Sequence, residues 1–312
     1  MQFIFLGTGA GRPSSTRNVT SIALIVSDQK KQFWLFDVGE ATQHRLLEQK
    51  LKLNKLERIF ITHLHGDHLY GLPGLLSSRS FFEGAGPLQL IGPPGLRDYL
   101  TCIFEKSGVH LSYALDIVEI NAEGLLFSND AYTVEVAELE HRVQSFGYRV
   151  IERPKPGALN VALLSQYGVE PGPLFGKLKR GADLTLPSGQ VIPSSELVLS
   201  STPGRIATIL GDTRPCNQSI QLAHHSDLLI HEATFATGME MKAETYGHST
   251  IAQAAQIAAS AEVKQLVLTH FSARLSDQQL DDFITEAASI FPNIVAAYDR
   301  LMIRVPNNSN YN

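Results

Sequence analysis

The residues that leave this chain least freedom are Ile59-Phe60-Ile61-Thr62-His63-Leu64-His65-Gly66-Asp67-His68. Three β-favouring apolar residues run directly into four metal-competent side chains, His63, His65, Asp67 and His68. Read as a buried strand that ends in a turn, the stretch points His63 and His65 the same way at a period of two. Asp67 and His68 fall in the turn, where the backbone can direct them to a second point. One short segment thus offers two imidazoles to one ion, and a carboxylate with an imidazole to its neighbour. Neutral imidazole and carboxylate suit Zn²⁺ or Mn²⁺ better than thiol-preferring metals. A solitary histidine such as His110 reads as a hydrogen-bonded surface residue, whereas four ligands in H-x-H-x-D-H spacing read as a metal site.

The 312 residues are ample for a large core, as one large domain or two small ones. A content of 44% hydrophobic and 18% charged residues is that of an ordinary globular protein. The net charge of −5 argues against blanket affinity for nucleic acid but leaves room for a local basic patch. The first seven residues, Met1 to Gly7, lack a basic leader and read as a first strand. No apolar run approaches the ~20 residues of a membrane span. Two cysteines, Cys102 and Cys216, make no disulfide framework and no C-x-x-C site, which fits a reducing cytoplasm.

Taken in order, the chain alternates strands and helices. The glycine-rich loop Gly7-Thr8-Gly9-Ala10-Gly11-Arg12-Pro13 lacks the Gly-Lys-Ser/Thr ending of a phosphate loop and reads as a tight turn bordering the site. Strands are expected at 21–26 and 32–36, the second ending in Asp37-Val38-Gly39-Glu40 before a helix to about residue 49. Asp37 suits a carboxylate that steadies an imidazole from behind, and equally an ordinary turn aspartate. A helix is expected over 69–79 and another over 95–106, with strands at 88–91, 117–120 and 132–139. His141 stands just past the last of these. In the final third, strands at 205–210, 227–230 and 265–268 finish in Asp212, in His231-Glu232-Ala233-Thr234-Phe235 and in Thr269-His270. Ser249 or Thr250 is a natural helix N-cap, and Ser276 with Gln279 makes a capping box. Strands recurring with helices, and no solenoid repeat, indicate an α/β class with two packed sheets flanked by helices.

Residues 151–193 change character. Pro154, Pro156, Pro171, Pro173 and Pro187, with many glycines, mark an insertion extending from the core. From 149 to 180, Arg149, Arg153, Lys155, Lys177, Lys179 and Arg180 face only Glu152 and Glu170. That basic run reads either as a contact for a polyanion backbone or as a solubilising hairpin.

His63, His65, Asp67, His68, His141, Asp212 and His270 make seven ligand candidates near strand ends. Two ions need about that many if one carboxylate bridges them and water completes the shells. Metals about 3.5–4 Å apart suit in-line displacement at phosphorus.

These residues resemble the metallo-β-lactamase fold superfamily and, within it, the ribonuclease Z family of tRNA 3′-end processing endonucleases. The likeness covers nearly the whole chain. It rests on Thr62-His63-Leu64-His65-Gly66-Asp67-His68, on Phe36-Asp37-Val38-Gly39-Glu40, on Gly71-Leu72-Pro73-Gly74-Leu75, on His231-Glu232-Ala233-Thr234-Phe235 and on His248-Ser249-Thr250. It implies an αββα sandwich over residues 1–312, with 151–193 as an inserted flexible arm that grips tRNA away from the active site. It implies one zinc on His63, His65 and His141, a second on Asp67, His68 and His270, and Asp212 between them; Mn²⁺ or another divalent ion is an alternative metal. Asp67 would act as general base. His248, which on its own reads as a capping-turn histidine, would be oriented by Glu232 and protonate the leaving 3′ oxygen of the discriminator nucleotide. Arg17, Lys177, Lys179 and Arg180 would contact precursor tRNA, and the protein would be a cytoplasmic homodimer.

One position departs from the family. Pro13-Ser14-Ser15-Thr16-Arg17 carries Ser15 where a Pro-x-Lys-x-Arg loop has lysine, which puts discrimination against CCA-bearing tRNA in doubt. Two other readings stand beside the endonuclease: a hydrolase of small phosphodiesters or other esters on the same scaffold, and a non-catalytic RNA-binding metalloprotein.

Overall fold

The computed structural model describes residues 1–27, 29–155 and 157–305; Pro156 of the insertion and the end of the expected 1–312 domain, 306–312, lie outside the described residues. The chain divides into two compact units, Met1–Ile151 with Ile206–Val305, and Glu152–Arg205.

Within the larger unit, the described residues form two seven-stranded sheets. The first runs Met302–Arg304, Gln2–Gly7, Ser21–Ser27, Gln32–Phe36, Leu56–Phe60, Leu88–Gly92, Leu115–Glu119. The second runs Ile294–Ala296, Leu266–Thr269, Leu228–Glu232, Ile206–Leu210, Ser145–Glu152, Tyr132–Leu139, Gly124–Ser128. Parallel pairing begins at Gln32–Phe36 in the first sheet and at Ile206–Leu210 in the second. In the second sheet, Leu228–Glu232 and Leu266–Thr269 are buried, near-continuous apolar runs, as expected where both faces are covered. In the first, Leu56–Phe60 and Leu115–Glu119 carry Glu57, Arg58, Asp116 and Glu119 and are partly exposed.

Strand alternation explains the layers. Trp34 and Phe36 point into a core shared with Tyr148, Val150, Ile209, Ile230 and Val267 of the other sheet. Their neighbours Phe33 and Leu35 point the opposite way, onto Leu46, Leu72, Leu75, Leu76, Leu96 and Leu100 of three helices. Leu229, Leu266 and Leu268 likewise cover Ile251, Ala254, Ala258 and Leu280 on the far face of the second sheet. The order is therefore helix, sheet, sheet, helix. Each such buried Val, Leu, Ile or Phe side chain contributes about 1.5–3 kcal/mol over exposure. Phe36 stacks on Phe60 at 4.9 Å, and Tyr148 reaches across the sheets to donate its hydroxyl to the Ile61 carbonyl at 2.6 Å. That bond pins the start of the histidine loop to the second sheet.

Two expectations need adjusting. The helix expected over 69–79 is two pieces, Gly66–Leu69 and Leu72–Arg79. The break has a cause: Val38 and residues 68–71 exchange main-chain bonds, and a Cβ on Gly71 would lie 2.0 Å from the Gly39 carbonyl oxygen. The strand Gly124–Ser128, largely exposed and at a sheet edge, was not expected from the sequence.

The smaller unit has its own core of Leu164, Leu178, Leu184, Ile192 and Leu197. Its two ends are held together by Arg205, which grips Glu152 in a two-pronged ion pair at 2.6 and 2.8 Å. Lys155 and Thr202 pair antiparallel just inside. No helix among the described residues is long and apolar enough to cross a membrane.

Candidate metal centre and acid–base pair

The site lies where the parallel strands end, which is where sheets of this kind present ligands. Asp37 follows Gln32–Phe36, the four clustered ligands follow Leu56–Phe60, Asp212 follows Ile206–Leu210, Glu232 closes Leu228–Glu232, and His270 follows Leu266–Thr269. The strand before the histidines stops at Phe60, so His63 and His65 belong to a loop. The ladder ends there because the Thr62 amide donates to Asp37 Oδ1 at 2.7 Å instead of to a strand.

Two groups of ligand atoms converge. His63, His65 and His141 with Asp212 form one, and Asp67, His68 and His270 the other, each within 4.8 Å. In the first, His63 Nε2 and His141 Nε2 lie 3.1 and 3.3 Å from His65 Nδ1. In the second, His68 Nε2 lies 3.1 Å from His270 Nε2, which lies 3.2 Å from Asp67 Oδ2. Asp212 stands 3.5–3.6 Å from His63, His68 and His270, between the groups.

The donor count shows that these atoms fit a cation. Thr62 donates its hydroxyl to Asp37 Oδ2 at 2.9 Å, so it must accept from His63 Nδ1 at 3.0 Å, which leaves Nε2 a lone pair. Thr234 donates to Glu232 Oε2 at 2.7 Å and so accepts from His270 Nδ1 at 2.8 Å, with the same result. His68 Nδ1 faces Asp37 Oδ2 at 2.7 Å, and His141 Nδ1 faces the Gly247 carbonyl. Four imidazoles are thus anchored through one nitrogen and aim the lone pair of the other inwards. Converging lone pairs repel unless something positive sits among them. Tetrahedral ligands at about 2.0–2.2 Å from an ion lie about 3.4 Å apart, close to the observed separations. Without a cation, a proton must serve: burial opposes charging His68, yet Asp212, Asp37 and Asp67 push it well above the ordinary imidazole value. Asp37 and His270 both take left-handed φ of 59°, a cost of the kind concentrated at functional sites.

His248 lies beside this centre. Its Nδ1 is 2.8 Å from Glu232 Oε1, and its ring is 4.9 Å from that of His141. Burial pulls the imidazole down, but the buried Glu232 carboxylate outweighs it and raises His248 to about 9. Among the described residues, His248 Nε2 has no hydrogen-bond partner, so the ring presents a proton at that atom.

The other expected contacts are dispersed. Arg17 is turned inward: its guanidinium donates to Thr8 Oγ1 at 2.8 Å and the Ala297 carbonyl at 2.7 Å, and lies over Phe271. Arg149, counted with the basic run, is in the larger unit, tied to the Leu222 and His224 carbonyls. Lys177, Lys179 and Arg180 are exposed on and just after the helix Pro173–Lys179 of the smaller unit. Three site residues carried no role in the sequence reading. Thr62 and Thr234 fix tautomers, and the Gly11 amide donates to Asp67 Oδ2 at 2.7 Å. Only their places in quoted motifs hinted at them.

Two facing sheets with outer helices and a His/Asp centre at the strand ends define a metallo-β-lactamase-fold hydrolase with divalent-metal ligands. Residues 173–271 match the family described as "Beta-lactamase superfamily domain", and residues 1–146 the family described as "Anti-Pycsar protein Apyc1". The ribonuclease Z of Bacillus licheniformis is 49% identical over 299 residues, covering 96% of this chain and 97% of that protein. That of Listeria monocytogenes is 48% identical over the same lengths. The crystal structure of the short form of human tRNase Z superposes with a TM-score of 0.70 at 30% identity, covering 98% of this chain and 100% of that one. The chain belongs to the ribonuclease Z family. The fold and the endoribonuclease activity expected from its motifs are borne out.

Proposed function

We propose that this ribonuclease Z-type enzyme removes the 3′ trailer from precursor tRNA directly after the discriminator nucleotide, leaving a tRNA 3′-hydroxyl and a 5′-phosphate on the trailer. The observation that carries the reading is the His248–Glu232 pair set beside two converging ligand groups, in a chain close to curated ribonucleases Z. The proposed ligands are His63, His65 and His141 for one Zn²⁺, Asp67, His68 and His270 for a second, and Asp212 for both. Mn²⁺ suits the same donors. Bound divalent cations supply Lewis-acid charge that activates water and offsets negative charge on a phosphodiester.

The chain's own residues do the rest. Asp37, Thr62, Thr234 and the Gly247 carbonyl hold four imidazoles in one tautomer. Asp67 accepts a hydrogen bond from the attacking water and takes its proton as general base; burial favours its protonated form, and His68 and His270 oppose it. A ribose oxygen is a poor leaving group. His248 donates the proton on Nε2 to that oxygen while Glu232 stabilises the charged ring. Lys177, Lys179 and Arg180 on the smaller unit offer exposed charge to tRNA phosphates, and the active form is a cytoplasmic homodimer.

The test is zinc-loaded protein with a 3′-extended precursor tRNA, beside the same RNA ending in CCA. Cleavage just after the discriminator base, abolished by chelator or by Asp67→Ala, is the expected result. No cleavage of either RNA, with steady turnover of a small phosphodiester, would overturn it. The CCA lane reads the consequence of Ser15.

A further inference from the structure

We propose that Tyr246 and Phe235 form a stacking platform for the base of the nucleotide whose 3′ oxygen leaves, an inference that rests on the tRNA-cleaving reading above. The Phe235 ring lies 5.9 Å from that of His248, and Tyr246 continues it at 6.2 Å with the planes 24° apart. The acid must approach the leaving oxygen within hydrogen-bond reach, so the base on the same ribose falls within one ring's distance of His248. The aromatic pair occupies that distance.

Three further observations favour a platform over a packing contact. Tyr246 is 45% exposed, unlike the aromatic residues between the sheets. Its position is nevertheless fixed: the Gly247 carbonyl holds His141 Nδ1, and Gly247 has a left-handed φ of 75°. A Cβ at Gly247 would meet His141 Nδ1 at 2.9 Å and the Arg142 amide at 3.1 Å, so Tyr246 is indexed to the metal ligand and to the acid together. Finally, the Arg142 guanidinium lies 5.9 Å from the Tyr246 ring centre and Lys242 Nζ 5.9 Å from that of Phe235. Aromatic faces flanked by cations are how single-stranded nucleotides are held without sequence readout, since every base has a π face.

The experiment is a cycle. Wild type and Tyr246→Ala each receive precursor tRNA that is intact or abasic at the discriminator position. Wild type is expected to lose about 10- to 100-fold in kcat/KM on the abasic RNA. Tyr246→Ala should lose as much on intact RNA and nothing further on abasic RNA, and Tyr246→Phe should behave as wild type. A discriminator replaced by an aromatic base analogue without hydrogen-bonding groups should be cleaved by wild type like the natural base, which tests the idea with no variant. Losses that multiply, or an analogue as poor as the abasic RNA, would overturn the platform alone. Failure of wild type to cleave the intact precursor would remove the parent reading and the platform with it.

Discussion

His248 Nδ1 lies 2.8 Å from Glu232 Oε1, and the same carboxylate accepts the amides of Thr213 and Thr234 and the Thr234 hydroxyl. Four donors hold Glu232 ionised in a buried place, and the ionised carboxylate in turn keeps His248 charged. If that charge is spent on a ribose leaving group, His248→Ala should lower kcat on precursor tRNA by about 10²–10⁴-fold. A p-nitrophenyl phosphodiester leaves without a proton, so its turnover should fall less than about tenfold on the same general-acid logic. Glu232→Gln should show the same split in milder form. Equal losses on both substrates would assign the pair to structure.

Asp37 accepts from Thr62 through both oxygens and from His68 through one, at 2.7–2.9 Å. Asp37→Asn keeps the shape but offers one acceptor where two are needed. We expect metal affinity, measured by competition with a chromogenic chelator, to weaken by about 10–100-fold. Circular dichroism should be unchanged. Unaltered affinity would make Asp37 a turn residue after all.

Removing metal should also cost stability, because the inward lone pairs then face one another. Excess divalent cation at about 100 times its dissociation constant should raise unfolding free energy by about 2.7 kcal/mol over the chelated protein. Thermal melts with and without Zn²⁺ read this. His63→Ala should shrink the increment, and an increment unchanged in that variant would place the ion elsewhere.

What could be read from the sequence follows the range of each interaction. The H-x-H-x-D-H cluster was legible because its ligands are neighbours, and the strand ends were legible as apolar runs stopping at a polar residue. Asp37 was recognisable only as one of two possibilities, since its partner His68 comes from a short helix 31 residues away. Thr234 bridges Glu232 and His270 through a hydroxyl that no periodicity announces. The interruption at Tyr70-Gly71 depends on main chain from 38–39 docking there. The inserted segment was bounded at 193, where proline and glycine thin out, whereas the smaller unit closes at Arg205 through pairing of Lys155 with Thr202.

That closure gives two linked expectations. Arg205 and Glu152 meet at 2.6 Å; burial alone would raise the Glu152 carboxyl, but Arg205 draws it down to about 2. Since this lies below the ordinary glutamate value of 4.5, the pair stabilises fully above about pH 4.5 and is lost as pH falls towards 2. Limited acid proteolysis should therefore open Glu152–Arg205 across that window, whereas in Glu152→Gln the segment should be open at every pH. The second expectation concerns removal. Ile151 pairs directly with Ile206 in the antiparallel ladder, so excising Glu152–Arg205 and joining the ends by Asn-Gly should close a tight hairpin. The larger unit keeps every candidate metal ligand, and its turnover of a small phosphodiester should stay within about twofold. Precursor tRNA cleavage should fall at least about 100-fold, the scale of losing several phosphate contacts. If tRNA cleavage survives the excision, Lys177, Lys179 and Arg180 do not hold the substrate. If both activities vanish from a protein that still melts cooperatively, the smaller unit serves the chemistry itself.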